Sequence, residues 1–393
     1  MTRRWPERLF WAATATVVYT YVLFPLLLFL RAWVRPRPHT SADMTPTVSI
    51  VIAARNEAET IGAKLGNLLA LDYPRDRLEI VIASDGSTDG TEDIVRAHED
   101  SRIRLLALPT SGKAVALNEA VAASTGEIVV FSDANSMYER DAIRMLVRPF
   151  ADPSVGGVAG NQRYAAPVGL GGSAIGERNY WSFDRALKVA ESRAGNVVSA
   201  TGAIYAVRRA LFRGVPPGVT DDFVTSTAVI AQGRRLVFEP NAVAYEPTGA
   251  SSDAEFARKV RIMTRGLRAV WTMRELLDPR RHGFYALQLA SHKLLRRLMA
   301  APLVVIAATG AMLSRRGGFY RRATIAQAVL YGFAAIGLLF EETRLGRKKI
   351  FALPAFFALV NAASIRAVWN VARGRVIDRW EPSRERPPKD VSC

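Results

Sequence analysis

Apolar and polar positions divide the chain into three kinds of pattern. Leu9–Leu30 ("LFWAATATVVYTYVLFPLLLFL") has no charged residue and is long enough to cross a hydrocarbon core of roughly 30 Å. Three more apolar runs come late, at Leu298–Leu313, Ala323–Phe340 and Ile350–Trp369. The last two have the length of spans. The first of them, with 16 residues, is short and also suits a re-entrant or interfacial segment. "RAWVRPRPH" follows Leu30 in place of a small-residue cleavage site, so the first run is expected to stay as an uncleaved anchor. The chain reads as an integral membrane protein.

Between the anchor and residue 250 the pattern becomes that of an α/β domain. "TVSIVIAA" (Thr47–Ala54), "LEIVIAS" (Leu78–Ser84), "IRLLAL" (Ile103–Leu108) and Ile128–Ser132 are short apolar runs rich in β-branched residues, which suits enclosed strands. Helical patterns alternate with them at Glu57–Leu71, Thr88–Ala97, Lys113–Ala123 and Asp141–Phe150. That alternation predicts a mainly parallel sheet with both faces covered. Ligands of such sheets bind beyond the carboxyl ends of the strands. Asp85, and Asp133 with Asn135, stand at two such ends.

From Gly195 to Glu246 the pattern predicts shorter strands and one helix, Asp222–Gln232. Ser252–Leu277 then reads as a long amphipathic helix. Phe256, Val260, Met263, Leu267 and Val270 form its apolar stripe, with Arg258, Arg261, Arg265 and Arg268 on the other side. Gly283–Leu298 repeats the arrangement, with Phe284, Leu287, Leu294 and Leu298 opposing Lys293, Arg296 and Arg297. This second helix is expected to lie along a membrane interface.

Composition narrows the chemistry. The net charge is +17, and Ala254–Lys349 holds nineteen Lys and Arg against five Asp and Glu. Basic charge beside apolar spans fits anionic headgroups and phosphorylated substrates. No basic and aromatic residues interleave on a soluble platform, so nucleic acid is not an expected partner. The single cysteine, Cys393, rules out an intrachain disulfide and a cysteine metal cage. His39, His98, His282 and His292 show no ligand spacing.

A carboxylate after a strand is weak evidence alone, because caps and turns use Asp and Asn routinely. Ser87, Thr88 and Asp89 could simply start the next helix. Order and spacing carry more: "VIAARNE", "SDGSTDGT", "SGKAVALNEA", "FSDAN", "TGAIYAVRR" and "TDDF" follow one another within one α/β domain. Together they resemble family 2 of the inverting glycosyltransferases, especially its membrane-embedded cellulose-synthase-like members, over Pro46–Gly266 and the flanking apolar segments. The resemblance implies a GT-A fold, which is Rossmann-like, flanked by transmembrane helices. It also implies transfer of a sugar from a nucleotide-sugar, a UDP-sugar above all, to a lipid-linked or saccharide acceptor in cell-surface glycan biosynthesis.

The family's strand-end Asp-x-Asp holds the ribose and a divalent metal on the diphosphate. Here Asp133 matches its first position and Asn135 its second, so the expected metal, Mg²⁺ or Mn²⁺, would meet one carboxylate and one amide oxygen. Nucleotide-side contacts are implied for Ala53, Arg55 and Glu57 of "VIAARNE", for Asp85, and for Lys113. Arg261 and Arg265 join them as remnants, with Gly266, of a Gln-x-x-Arg-Trp motif. Gly202 and Asp221 fall on the acceptor side. Asp222 takes the role of general base, accepting the proton of the attacking hydroxyl, while Asp221 suits a helix cap. The family Gln and Trp are missing from "ARKVRIMTRGLRAVW", which argues against long processive synthesis. A processive polysaccharide synthase, or a noncatalytic nucleotide-sugar-binding subunit, is the alternative.

The expected organisation is a membrane anchor at 1–45, a catalytic domain at 46–250, interface helices at 251–297, two or three C-terminal spans within 298–370, and a polar tail at 371–393. The expected location is the plasma membrane, multi-pass and in contact with its lipids, with the catalytic domain in the cytoplasm.

Overall fold

The computed structural model describes residues 4–164, 172–246, 252–341 and 343–377, without the side chains of 164–182 and 252–255. Eight strands form one sheet: β1 (Val48–Ala54), β2 (Leu78–Asp85), β3 (Ile103–Leu108), β4 (Ile128–Phe131), β5 (Met137–Tyr138), β6 (Val155–Tyr164), β7 (Tyr205–Arg208) and β8 (Arg235–Glu246). Their spatial order is β3-β2-β1-β4-β7-β6-β8-β5. The four strands read from sequence form one half, all parallel, with β1 between β2 and β4. Every residue of β1 and of β4 is buried, because helices cover both faces of this half. The chain leaves β1 toward β2 and reaches β4 on β1's other side. The carboxyl ends of β1 and β4 therefore flank the crevice where connections diverge.

The second half is mixed: β7 is antiparallel to β4 and to β6, and β5 to β8, while β6 and β8 run parallel. Apolar residues line both faces of the sheet, Val51, Val81, Phe131 and Tyr205 on one and Ile50, Ile80, Val130 and Ile204 on the other.

Helices follow the expected stretches with shifted ends. Lys113–Ala123 is helical as read, Ala58–Leu69 is shorter than read, and the stretch from Thr88 becomes helical only at Thr91. The amphipathic helix spans Ser252–Thr272 and buries Leu267 and Val270 of its stripe. Gly283–Leu298 departs from a single helix. Its first part, Phe284–Gln288, passes into a π-helical turn, Leu289–Leu295.

Among the described residues, three helices are long and apolar enough to cross a membrane: Trp5–Val34, Gly318–Leu339 and Lys349–Ala372. Phe284–Leu295 and Ala300–Leu313 meet that test only as a pair, and they are bent by 62° against each other. The first member lies on the α/β domain. Tyr285 donates to the Val198 carbonyl at 2.9 Å and Gln288 to the Asn196 carbonyl at 2.8 Å.

Candidate functional site

Two loops meet beyond the ends of β1 and β2. The Ala58 N–H donates to Asp89 Oδ2 at 3.0 Å, Thr88 N–H to Asn56 Oδ1 at 2.9 Å and Asn56 N–H to Ser87 Oγ at 3.1 Å. Ser87, Thr88 and Asp89 thus stitch two segments together, and the next helix starts at Thr91 after Gly90. Gly86 takes a φ of +63°, and a Cβ there would overlap Thr110, so glycine lets the 110–112 loop close over β2. Asp85, fully buried, receives Ser111 N–H at 2.6 Å and Gly112 N–H at 2.9 Å on Oδ1. Arg55 approaches its Oδ2 at 3.4 Å. Glu57 is buried, accepting from Thr60 Oγ1 at 2.9 Å, and Ala53 packs in the core of the parallel half.

The acidic centre lies at the end of β4. Lys113, at the first turn of its helix, donates to Asp133 Oδ1 at 2.9 Å and pairs with Asp221 Oδ2 at 3.2 Å. These two carboxylates raise its pKa against the opposing effect of burial. Asn118, on the same helix, holds the loop before Asp221 by a two-way bond with Val215, at 3.1 and 2.8 Å. Gly202 faces Asp133 so closely that a Cβ would stand 2.7 Å from Oδ2. Its missing side chain makes room for this carboxylate.

Asp221 begins the helix Asp221–Ala231, and Thr220 occupies the N-cap position without a side-chain cap. The expectation that Asp221 caps this helix is corrected: its carboxylate is turned to Lys113. Asp222 Oδ1 accepts the Phe223 N–H at 2.7 Å. Burial and the Asp221 charge push the Asp222 carboxyl up to about 6, against Lys293, Lys113 and that N–H. A carboxylate poised there can take a proton near neutral pH. Beneath it, the buried Tyr205 ring stacks on Phe131 at 4.8 Å.

Lys64 and Glu246 carried no signal in the sequence patterns. Lys64 sits wholly buried under the Asp133 loop, donating to Ser132 Oγ at 2.8 Å and to the Ser136 carbonyl, with its ammonium 3.9 Å from the Tyr138 ring centre. Burial lowers its pKa to about 7, although Asp133 and Glu246 oppose this. Glu246, at the end of β8, accepts from Ser136 Oγ at 3.2 Å and from Gln162. Burial and Asp133 push it up to about 7.

The arginines of the interface helix divide. Arg258 acts on Glu246. Arg265 donates to the Ile377 carbonyl at 2.7 Å, toward the segment after the last span, and Arg261 is half-buried one turn before it. A Cβ at Gly266 would overlap the Arg297 guanidinium, so this glycine admits Arg297 beneath the helix.

A divalent cation would find two oxygen-bearing side chains here, on Asp133 and Asn135. Asp133 keeps Oδ2 in the space that Gly202 leaves, and the half-buried Asn135 amide makes no side-chain hydrogen bond among the described residues. No group of three or more His, Cys, Asp or Glu assembles among them. Such a donor set suits a hard cation that takes its remaining ligands from phosphates and water.

Residues 49–215 match the model of the family described as Glycosyl transferase family 2. The poly-beta-1,6-N-acetyl-D-glucosamine synthase of Staphylococcus aureus (strain COL) is 28% identical over 223 residues, 55% of this chain and 53% of that protein. Its counterpart in Staphylococcus epidermidis is 28% identical over 206 residues, 50% and 49% of the two chains. The chain thus spans about half the length of the curated relatives it matches. Among solved structures, a mannosyltransferase from Pyrobaculum calidifontis, in complex with GDP-Man and Mn²⁺, has a TM-score of 0.71 at 28% identity. That likeness covers 92% of this chain and 99% of that one.

Proposed function

Because the chain carries a glycosyl transferase family 2 domain of GT-A fold, we propose that it is a membrane-bound inverting glycosyltransferase. It moves a sugar from a nucleotide-sugar to a lipid-linked or saccharide acceptor in cell-surface glycan biosynthesis. The observation that carries this reading is the joining of Lys113, Asp133, Asp221 and Asp222 at one crevice, with Asp222 raised into the range of a working base. In the reaction, the acceptor hydroxyl gives its proton to Asp222 as its oxygen bonds to the anomeric carbon. The bond from that carbon to the diphosphate breaks on the opposite face, and the diphosphate leaves with the electron pair.

Asp133 and Asn135 would hold the Mg²⁺ or Mn²⁺, which supplies charge neutralisation to the leaving diphosphate. Lys113 stands ready to exchange a carboxylate for a phosphate oxygen when donor enters. Asp85 and Arg55 line the nucleoside side, and the catalytic domain is read as facing the cytosol because nucleotide-sugars occur there. The finer reading is a UDP-sugar donor. A GDP-sugar is the second reading, favoured by the likeness to the GDP-Man complex across nearly the whole chain. Product length is expected to be short, since the interface helix lacks the sugar-stacking Trp and offers Ile262 and Met263 nearby, while the exposed Trp271 lies about two turns on.

The test is turnover by the detergent-purified chain with UDP- and GDP-sugars, Mn²⁺, and membrane lipid extract. Release of nucleoside diphosphate that requires the sugar donor and falls in Asp222→Asn supports the reading. Nucleotide-sugar binding without any release in any combination would return the chain to the noncatalytic alternative. Mass spectrometry of early products separates a few additions from long polymer.

A further inference from the structure

One helix, Ala58–Leu69, reaches both ends of the crevice. At its start the Ala58 N–H is bound to Asp89, and the Glu57 N–H donates to Thr91 Oγ1 at 2.8 Å. Further along, Lys64 and Asn67 stand three residues apart, on one face of the helix. Asn67 holds Tyr138 by a two-way bond, its amide donating to the Tyr138 carbonyl at 2.9 Å and accepting the Tyr138 N–H at 2.8 Å. Lys64 Nζ donates to Ser132 Oγ at 2.8 Å and to the Ser136 carbonyl, and it lies 3.9 Å from the centre of the Tyr138 ring. Each of these contacts goes to the segment 132–138, which carries Asp133 and Asn135. Ser136 is also held from β8, where its Oγ donates to Glu246 at 3.2 Å.

Stability alone does not call for a lysine at this position. The side chain is fully buried, and its helix gives Ile61, Leu65 and Leu68 to the same apolar cluster that holds Ala134 and Tyr138. An apolar chain would fill such a place without the cost of stripping water from an amine. What it cannot supply is one point of attachment for both ends of a turn. Ser132 stands just before Asp133 and Ser136 just after Asn135, and both are bonded to the same nitrogen.

We propose that Lys64 is a positioning residue for the metal and diphosphate end of the donor: by holding Ser132 and Ser136 it fixes the spacing and direction of Asp133 and Asn135. It touches neither metal nor nucleotide itself. Groups that orient metal ligands from behind govern cation affinity almost as strongly as the ligands do. The same helix secures the nucleoside-side loops at its start, so Lys64 also sets where the turn stands relative to them. This assignment rests on the glycosyltransferase reading and on a divalent metal at Asp133 and Asn135.

The experiment is calorimetry on the full chain in detergent, with UDP and GDP titrated at a series of Mn²⁺ concentrations. Uridine and guanosine serve as probes of the nucleoside side alone. Lys64→Met keeps an unbranched chain of similar reach and removes the N–H donors. The Mn²⁺ concentration for half-maximal nucleotide binding should rise about 10- to 100-fold in this variant. Its nucleoside affinity should match wild type, and its melting temperature should be no lower. Ser132→Ala takes away one contact and leaves the lysine, so it should shift the Mn²⁺ requirement the same way by less; it decides the matter if Lys64→Met does not fold. An unchanged Mn²⁺ requirement in the folded variants overturns the assignment. So does an equal loss of nucleoside and diphosphate affinity, the mark of a general loss of structure. A wild type that binds neither diphosphate, or binds it without regard to Mn²⁺, overturns the donor reading beneath the assignment and the assignment with it.

Discussion

The Asp222 carboxylate must be ionised to accept a proton, so its raised pKa has a kinetic signature. With a value of about 6, roughly 0.9 of the groups are ionised at pH 7 and roughly 0.1 at pH 5. Activity measured as kcat/KM should therefore fall about tenfold across those two units, and tenfold per unit below them. The cause can be tested by removing the charges around it. Asp221 raises the value, so Asp221→Asn should move the acid limb to lower pH; Lys293 lowers it, so Lys293→Gln should move the limb to higher pH. Asp222→Asn should abolish the limb and reduce turnover by roughly 10²–10⁴-fold. The assay is nucleoside diphosphate release from pH 5 to 8 at saturating metal, with calorimetry of UDP as a check that the nucleotide side is intact. Near-normal turnover in Asp222→Asn would refute the assignment. So would an acid limb that ignores both charge substitutions.

Three further outcomes follow from the same centre. Gly202→Ala should drive Asp133 off its 2.9 Å contact with Lys113, because a Cβ there would stand 2.7 Å from Oδ2; nucleotide affinity should drop about tenfold or more by calorimetry, and unchanged affinity would count against Asp133. Asn135→Asp adds a charged oxygen and should tighten Mn²⁺ in a metal titration of UDP affinity, whereas unchanged metal dependence would remove Asn135 from the site. Lys64 has a folded pKa of about 7 against about 10.4 when unfolded, so the unfolded chain binds the extra proton between these values. Stability should rise with pH through that window and be lost below it, and Lys64→Met should flatten the rise in a thermal melt at pH 7 to 10; an identical slope would show that Lys64 is not the group responsible.

What the sequence determined by itself was whatever depends on near neighbours. An unbroken apolar run such as Leu9–Leu30 must find lipid or core, and β-branched runs such as Ile128–Ser132 must find a sheet. Alternation with helices then put Asp85, Asp133 and Asn135 at strand ends, since in a parallel sheet the carboxyl ends face one way. The order of "SGKAVALNEA", "FSDAN" and "TDDF" named the residues of the centre without giving their contacts. Those contacts join residues far apart in the chain, and only the tertiary structure decided them. Lys113 meets Asp133 and Asp221, and the Asn118 amide of the same helix ties down Val215, 97 residues later. Glu246 comes beside Ser136 only because β8 pairs with the edge strand β5. Lys64 had no distinguishing pattern, because a lysine on an amphipathic helix is ordinarily solvated. Its burial came from a loop 68 to 72 residues away. Lys293 was read as part of a basic face along a membrane interface, and in the fold its ammonium lies 5.8 Å from the centre of the Phe223 ring. Periodicity reports which face of an element is apolar; which element covers the polar face is a property of the packed whole.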